Sequence, residues 1–305
     1  MDVILHLGAH RTASTTFQHY MRENAAALRP AGIGFWGPWR TRNGLLTGVN
    51  PVSGPMPAGA QMLRARGRIA LNLARARKHG IRALVISDEN MIGAPRHNLR
   101  AKRLYAGIGE RMARFDHAFG GQITRIVLSV RSFDSYWSSV AAFAVARGHH
   151  VPDEAEFDRL VTANRHWREV IADLACAVPG AELMILPYEG FGGRPEAVLT
   201  RMTGVKTPPR RFSREWVNRA PGCAQLRQIL SDRRDDPDQI GGRNGRWQPL
   251  NRDQVAALRD AYADDLFWLR AGADGLARFV DECGPAVGCS DSDWAQADAD
   301  RARAG

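Results

Sequence analysis

Short apolar runs of strand length alternate with longer amphipathic stretches over the first two thirds of the chain. Residues 3–7 open it as an apolar run that Gly8 stops, and Phe17, Tyr20, Met21, Ala25 and Leu28 then recur at helical spacing over 15–28. Ile33–Trp36, between Gly32 and Gly37, predicts a second strand, and residues 43–58, rich in Gly and Pro, predict a loop. A helix over 60–78 leads to a buried strand over 82–87, whose core is Ala83-Leu84-Val85-Ile86. The pattern continues with one helix over 99–119, ended by Gly120 and Gly121, and a strand over 123–130. Helices over 135–147 and 157–177 and a strand over 182–186 follow.

Strands of four to eight residues alternating with helices imply parallel βαβ units, hence an α/β three-layer sandwich around a central, mostly parallel sheet. Right-handed crossovers place the strand C-termini along one edge, where open α/β sheets bind ligands. Beyond Pro208 the pattern is mostly helical, with an amphipathic helix marked by Val255, Leu258, Tyr262, Leu266 and Leu269. Residues 231–249 read as a long polar loop. The expectation is a single domain over 1–289 and a polar, disordered tail over 290–305.

Composition narrows the classes. No apolar run reaches the roughly 18 to 20 residues that span a bilayer, and no basic region followed by an apolar stretch opens the chain. A cytoplasmic protein with no membrane span is expected. The four cysteines, Cys176, Cys223, Cys283 and Cys289, are scattered without metal-ligand spacing and read as reduced thiols. A net charge of +10, carried almost wholly by arginine, fits an anionic ligand. No basic stretch interleaved with aromatics argues for nucleic acid as the partner.

The first chemical signal is Gly8-Ala9-His10-Arg11-Thr12-Ala13-Ser14-Thr15-Thr16, between the first strand and the first helix. A strand, a tight turn of small residues and a helix N-terminus aim several backbone N–H groups at one point, which favours an anion. Ser14, Thr15 and Thr16 add hydroxyl donors and Arg11 a guanidinium fork. The competing reading is a helix whose Ser and Thr merely cap its own first turn. Laid on the nucleotide-triphosphate loop G-x-x-x-x-G-K-[ST], the segment has Ala13 for the second glycine and Ser14 for the lysine. Without that lysine a kinase or ATPase is disfavoured.

The run Leu5-His6-Leu7-Gly8-Ala9-His10-Arg11-Thr12-Ala13-Ser14-Thr15-Thr16-Phe17-Gln18 resembles the 5′-phosphosulfate loop of the sulfotransferases that use 3′-phosphoadenosine-5′-phosphosulfate (PAPS). Bacterial members typically read H-I-G-x-H-K-T-G-T-T-S-x-Q there, so Arg11 stands for the family's lysine, Ala13 for its glycine and Ser14 for its first threonine. The resemblance implies the P-loop-like sulfotransferase fold, PAPS as co-substrate without a metal, and a hydroxyl-bearing acceptor. A carbohydrate is the first guess for that acceptor, with a lipid or small metabolite next. It also implies that Arg11, Thr12, Ala13, Ser14, Thr15 and Thr16 bind the 5′ end.

A second signal follows the strand over 123–130. Arg131 at its end, with Ser139 eight residues on, matches the family's R-x7-S pattern for the 3′-phosphate. Ser138 could substitute, and Phe133 stands where the family usually has proline. Leu186-Pro187-Tyr188-Glu189 resembles its strand-end R-Y-E segment, and Trp216-Val217-Asn218-Arg219 a late segment near the nucleotide. The resemblance spans roughly residues 1–270.

For the base, the strand over 83–87 ends in Asp88-Glu89-Asn90, which puts Glu89 on the same sheet edge. The resemblance implies that Glu89 takes the acceptor's proton while Arg11 neutralises the leaving phosphate. His149 or His150 are alternatives; His10 reads as supporting the site and His6 as packed in the core. An acid after four apolar residues also looks like a Walker B strand. A P-loop kinase or NTPase, or a nucleotide-binding protein without activity, are therefore the competing functions.

Overall fold

The computed structural model describes residues 1–242 and 244–281. Six parallel strands form one sheet in the order β2-β3-β1-β4-β5-β6: β1 Asp2–His6, β2 Ile33–Trp36, β3 Ala83–Ser87, β4 Arg125–Val130, β5 Glu182–Pro187 and β6 Arg278–Phe279. The α/β class, the parallel sheet and the layered arrangement agree with the sequence reading. The proposed tail over 290–305, Cys283, Cys289 and the upper boundary of the expected domain lie outside the described residues.

Period-two alternation divides each strand between two cores. Val3, Leu5, Leu84, Ile86, Ile126 and Leu128 pack into the larger one, which also receives helices Ala58–Lys78, Ile108–Phe119, Phe133–Val145, Trp167–Ala177 and Arg252–Arg270. Ile4, Val85, Val127 and Met184 face the smaller one, closed by helices Ser14–Glu23 and Pro195–Thr203. Both faces of the sheet are thus covered, which is why its strands read as unbroken apolar runs.

The strand order fixes where a ligand can sit. From β1 the chain goes to β2 and β3 on one side, then crosses to β4 on the other. β1 and β4 are neighbours whose onward connections diverge, and such a switch point opens a crevice at the strands' C-terminal ends. Leu7 and Ala9 extend the ladder past β1, donating to the carbonyls of Val127 and Ser129 at 3.0 and 3.2 Å. The loop 7–13 is therefore laid directly alongside Arg131.

Three helices differ from expectation, each through a side chain that satisfies backbone groups. The first breaks at Asn24, whose buried amide donates to the carbonyls of Tyr20 and Arg211 at 3.0 Å each. The helix expected over 99–119 is two, Pro95–Ala101 and Ile108–Phe119. Lys102 and Tyr105 between them are left-handed, and the Asn98 carboxamide accepts from the Tyr105 N–H at 3.1 Å. The helix expected over 157–177 is Glu154–Val161 and Trp167–Ala177, parted by a segment whose buried Arg165 donates to the carbonyls of Leu104 and Tyr105. The loop expected over 43–58 follows a helical turn at 38–45. The two-residue β6 had no sequence signal.

Leu128 is fully buried in β4. Leu128→Ala should cost about 2–5 kcal/mol in urea unfolding; a loss under about 1 kcal/mol would contradict the close packing of that face.

Candidate active site

The loop after β1 is built by backbone conformations that glycine-like positions tolerate. Gly8, Arg11 and Ala13 have φ of 42°, 67° and 63°. A Cβ on Gly8 would lie 2.6 Å from Ser14 Oγ, so glycine is required there on both conformational and steric grounds. Ala13 precedes helix Ser14–Glu23 without a capping side chain, and no acid occupies the first turn. The dipole's positive end is therefore left uncompensated. Ser14 Oγ is buried and has no hydrogen-bond partner, an orphaned donor at the place where the loop closes.

Arg131 leaves the end of β4 and is only 3% exposed. Its Nη1 donates to the Arg11 carbonyl at 2.7 Å and its Nε to Ser135 Oγ at 2.8 Å, while its guanidinium lies 4.4 Å from the Tyr188 ring centre. Arg11 Nε donates to Ser139 Oγ at 3.0 Å, and its guanidinium stacks on Phe143 at 5.2 Å. The two candidate sites are thus in direct contact, and the Arg11 side chain sits with the second rather than over its own loop. Ser138 instead donates to the Asp134 carbonyl within its helix; Ser139 meets Arg11, and the serine that meets Arg131 is Ser135.

Among the described residues neither arginine forms an ion pair with a carboxylate. Burial first, then Arg131, Arg147 and Arg246, push Arg11 down to about 10. Burial, and then Arg246, also hold Arg131 below its ordinary value, against Tyr188, Glu189 and Asp134. Burying a cation without a counter-charge costs several kcal/mol, and an anion bridging the cluster removes that cost.

Both arginines, Ser139, Ala13, Ser14 and Thr15 line one cavity of about 1750 Å³. Glu89 lies on its wall, accepting from Gln18 Nε2 at 2.7 Å and from Arg42 Nη2 at 3.2 Å. Burial raises the Glu89 carboxyl, but hydrogen bonds from Gln18 and its own backbone, with Arg42 and His10 near, bring it below the usual carboxylate range. Glu89 is consequently ionised at neutral pH. Asp88 is tied to Thr41 Oγ1 and Arg42 Nη2, both at 2.6 Å. Asn218 Nδ2 donates to Thr15 Oγ1 at 3.3 Å, and Trp216 and Val217 join it on the cavity wall.

Other residues singled out in the sequence fall elsewhere. Thr12 donates to the Ala9 carbonyl and Thr16 shares a hydrogen bond with the Val217 backbone, so both hydroxyls brace the loop. His149 bonds the His150 carbonyl and His150 pairs with Glu156; neither lines the cavity. His6 bonds Ser87 Oγ and is packed in the core, as expected. His10 has a larger part than its sequence suggested. It lines the cavity, with Nδ1 at 2.9 Å from Tyr105 Oη and Nε2 at 3.3 Å from Asn90 Oδ1. Burial holds its imidazole below the ordinary histidine value, hence neutral at pH 7. Arg42, Tyr105, Phe143, Arg147 and Arg246 were missed, because each meets the site across long sequence separations.

No protein-family model and no curated protein matches this chain.

Gly8→Ala should lower stability by about 1–3 kcal/mol, read as a drop in Tm. Ser14→Ala, which removes an unpartnered hydroxyl, should stay within about 0.5 kcal/mol of wild type. Equal melting of all three proteins would show that the loop is not folded as described.

Proposed function

We propose that the protein is a PAPS-dependent sulfotransferase. The observation that carries the reading is a pair of arginines, Arg131 buried and Arg11 half-buried, neither ion-paired to a carboxylate among the described residues, lining a cavity that also receives a helix N-terminus. The donor set suits a nucleotide with phosphate groups at two ends. The orphaned Ser14 hydroxyl, Thr15 and the amides around Ala13 would form one group of donors, and Arg131 with Arg11 and its partner Ser139 the other. A P-loop-like sulfotransferase fold is consistent with the parallel sheet and its switch point.

PAPS would supply the sulfuryl group: the acceptor oxygen bonds to sulfur as the bond from sulfur to the 5′-phosphate oxygen breaks. The loop amides would meet the charge that builds on that phosphate, and Arg11, turned to Ser139 on the same cavity, would add its positive field. Glu89, ionised and on the cavity wall, would take the acceptor's proton. Arg42 holds Glu89 in position through the 3.2 Å contact while also neutralising Asp88. Neutral His10 is a second polar contact on the same wall. The Trp216 ring, packed on Gly193, offers a flat apolar surface for a base. An acceptor hydroxyl would enter from the Glu89 side; the cavity is wide enough for a carbohydrate, a lipid headgroup or a small metabolite.

Calorimetry with 3′-phosphoadenosine-5′-phosphate against ATP tests the reading, the bisphosphate being expected to bind more tightly. Tighter binding of ATP, with Mg²⁺-dependent turnover, would favour a nucleotidase instead. Arg131→Ala should weaken bisphosphate binding by about 100-fold, since a buried charged donor is lost. Glu89→Gln should retain bisphosphate affinity and lower kcat by about 10²–10⁴ with any acceptor found in a labelled-PAPS screen. Because the Glu89 carboxyl lies below its usual range, kcat should hold from neutral pH down through the usual carboxylate range and fall only beneath it. A limb near pH 6 to 7 would move the base to a histidine.

A further inference from the structure

From Asn24 to Ser87 the chain has no aspartate or glutamate and ten arginines or lysines. That number equals the net charge of the whole protein, so the remaining 32 basic residues are balanced by all 32 acidic ones. Six of the ten lie on helix Ala58–Lys78, and among the described residues Arg42 alone of the ten makes an ion pair. A merely solvated surface mixes both signs. The same segment also carries four of the six large apolar side chains most exposed among the described residues: Trp39, Val52, Leu63 and Leu71.

The helix has two apolar faces. Ala65, Ile69, Leu73 and Ala76 are buried against the sheet. On the outer side, Ala60, Leu63, Gly67, Ala70, Leu71 and Ala74 are all exposed and fall within an arc of about 100° at the helical repeat. Leu63 is 71% and Leu71 53% exposed. Arg64, Arg68 and Arg75 run along one border of this stripe, Arg66 and Arg77 along the other, and Lys78 closes it at the helix C-terminus.

We propose that this outer face seats the protein on an anionic lipid bilayer, as a peripheral contact. Aliphatic side chains in a shallow stripe enter the acyl boundary, and arginines on both borders reach headgroup phosphates. A nucleic acid or acidic polysaccharide would meet the charges yet leave both leucines in water. A second copy of the chain would bring arginine rows against arginine rows. The loop carrying Trp39 is fastened to the helix flank, Arg40 Nη2 donating to Asn72 Oδ1 at 2.7 Å and Arg68 to the Thr47 carbonyl. Trp39, 82% exposed, and Arg40 are also on the rim of the large cavity. Docking therefore brings the cavity mouth beside the headgroups. Only if the cavity transfers sulfuryl groups does this further imply an acceptor hydroxyl borne by a lipid.

The test is co-sedimentation of the full chain, without nucleotide, with vesicles of phosphatidylcholine alone or mixed with phosphatidylglycerol. Pelleting is expected with the mixed vesicles only, declining as salt is raised. The double variant Leu63→Glu/Leu71→Glu should lower partitioning by at least about tenfold, while its melting curve and bisphosphate titration match wild type. Arg64→Gln/Arg75→Gln should also weaken it, by several-fold. The proposal is overturned by absent pelleting, by equal pelleting of the leucine variant, or by binding to single-stranded DNA without binding to vesicles. It is likewise overturned if light scattering shows a dimer that the leucine variant converts to monomer. Failure of bisphosphate binding would leave this result intact and bear only on the sulfotransferase reading.

Discussion

Two guanidinium groups held together on one cavity, neither ion-paired to a carboxylate among the described residues, set the terms for the rest of this molecule. Arg131 and Arg11 repel one another, yet Arg131 donates to the Arg11 carbonyl and each lies on an aromatic ring. Fixing them takes several distant elements. Trp167 is fully buried, stacks on Phe133 at 5.8 Å, and donates its indole N–H to the Arg131 carbonyl at 2.9 Å. Glu189 accepts from the Ser132 N–H and from Tyr262 Oη, which pins the turn between β4 and its helix. Order built around charge that has no ion-pair partner suits a negatively charged ligand.

The charge is graded across the cavity. Its floor is cationic, whereas its far wall carries Glu89 within the network of Gln18, Arg42 and Asp88. Behind that wall, His10, Tyr105, Tyr136 and Asn98 form a buried chain of hydrogen bonds. Each member is satisfied by the next, so the network stiffens the loop after β1 at His10. In the proposed sulfotransferase the floor would hold the donor's phosphate and Glu89 on the wall would take the acceptor's proton. The acid-free segment 24–87 extends the positive field from the rim outward over one face.

Local pattern made the strands, the order of the elements and the sheet-edge placement of Arg11, Arg131 and Glu89 legible. An apolar run must be buried and a parallel sheet aligns its strand ends. The helices over 99–119 and 157–177 misled because periodicity reports only which face is apolar. The breaks come from Asn98, whose carboxamide captures the Tyr105 N–H seven residues on, and from Arg165, whose partners, the carbonyls of Leu104 and Tyr105, lie some sixty residues away. The break at 102–107 is also what delivers Tyr105 to His10, so one misread helix concealed part of the site.

The amino-acid sequence by itself determined the α/β layering, the loop of small residues before the first helix and the two arginines at strand ends. These follow from short-range sterics and from the two hydrophobic periods. Only the tertiary structure decided that Arg11 turns to Ser139 rather than Ser138, that Arg131 meets Ser135, and that Glu89 rather than His149 or His150 faces the cavity. Those choices depend on through-space charge, burial and side-chain rotamers set by residues far away along the chain, and no spacing rule encodes them.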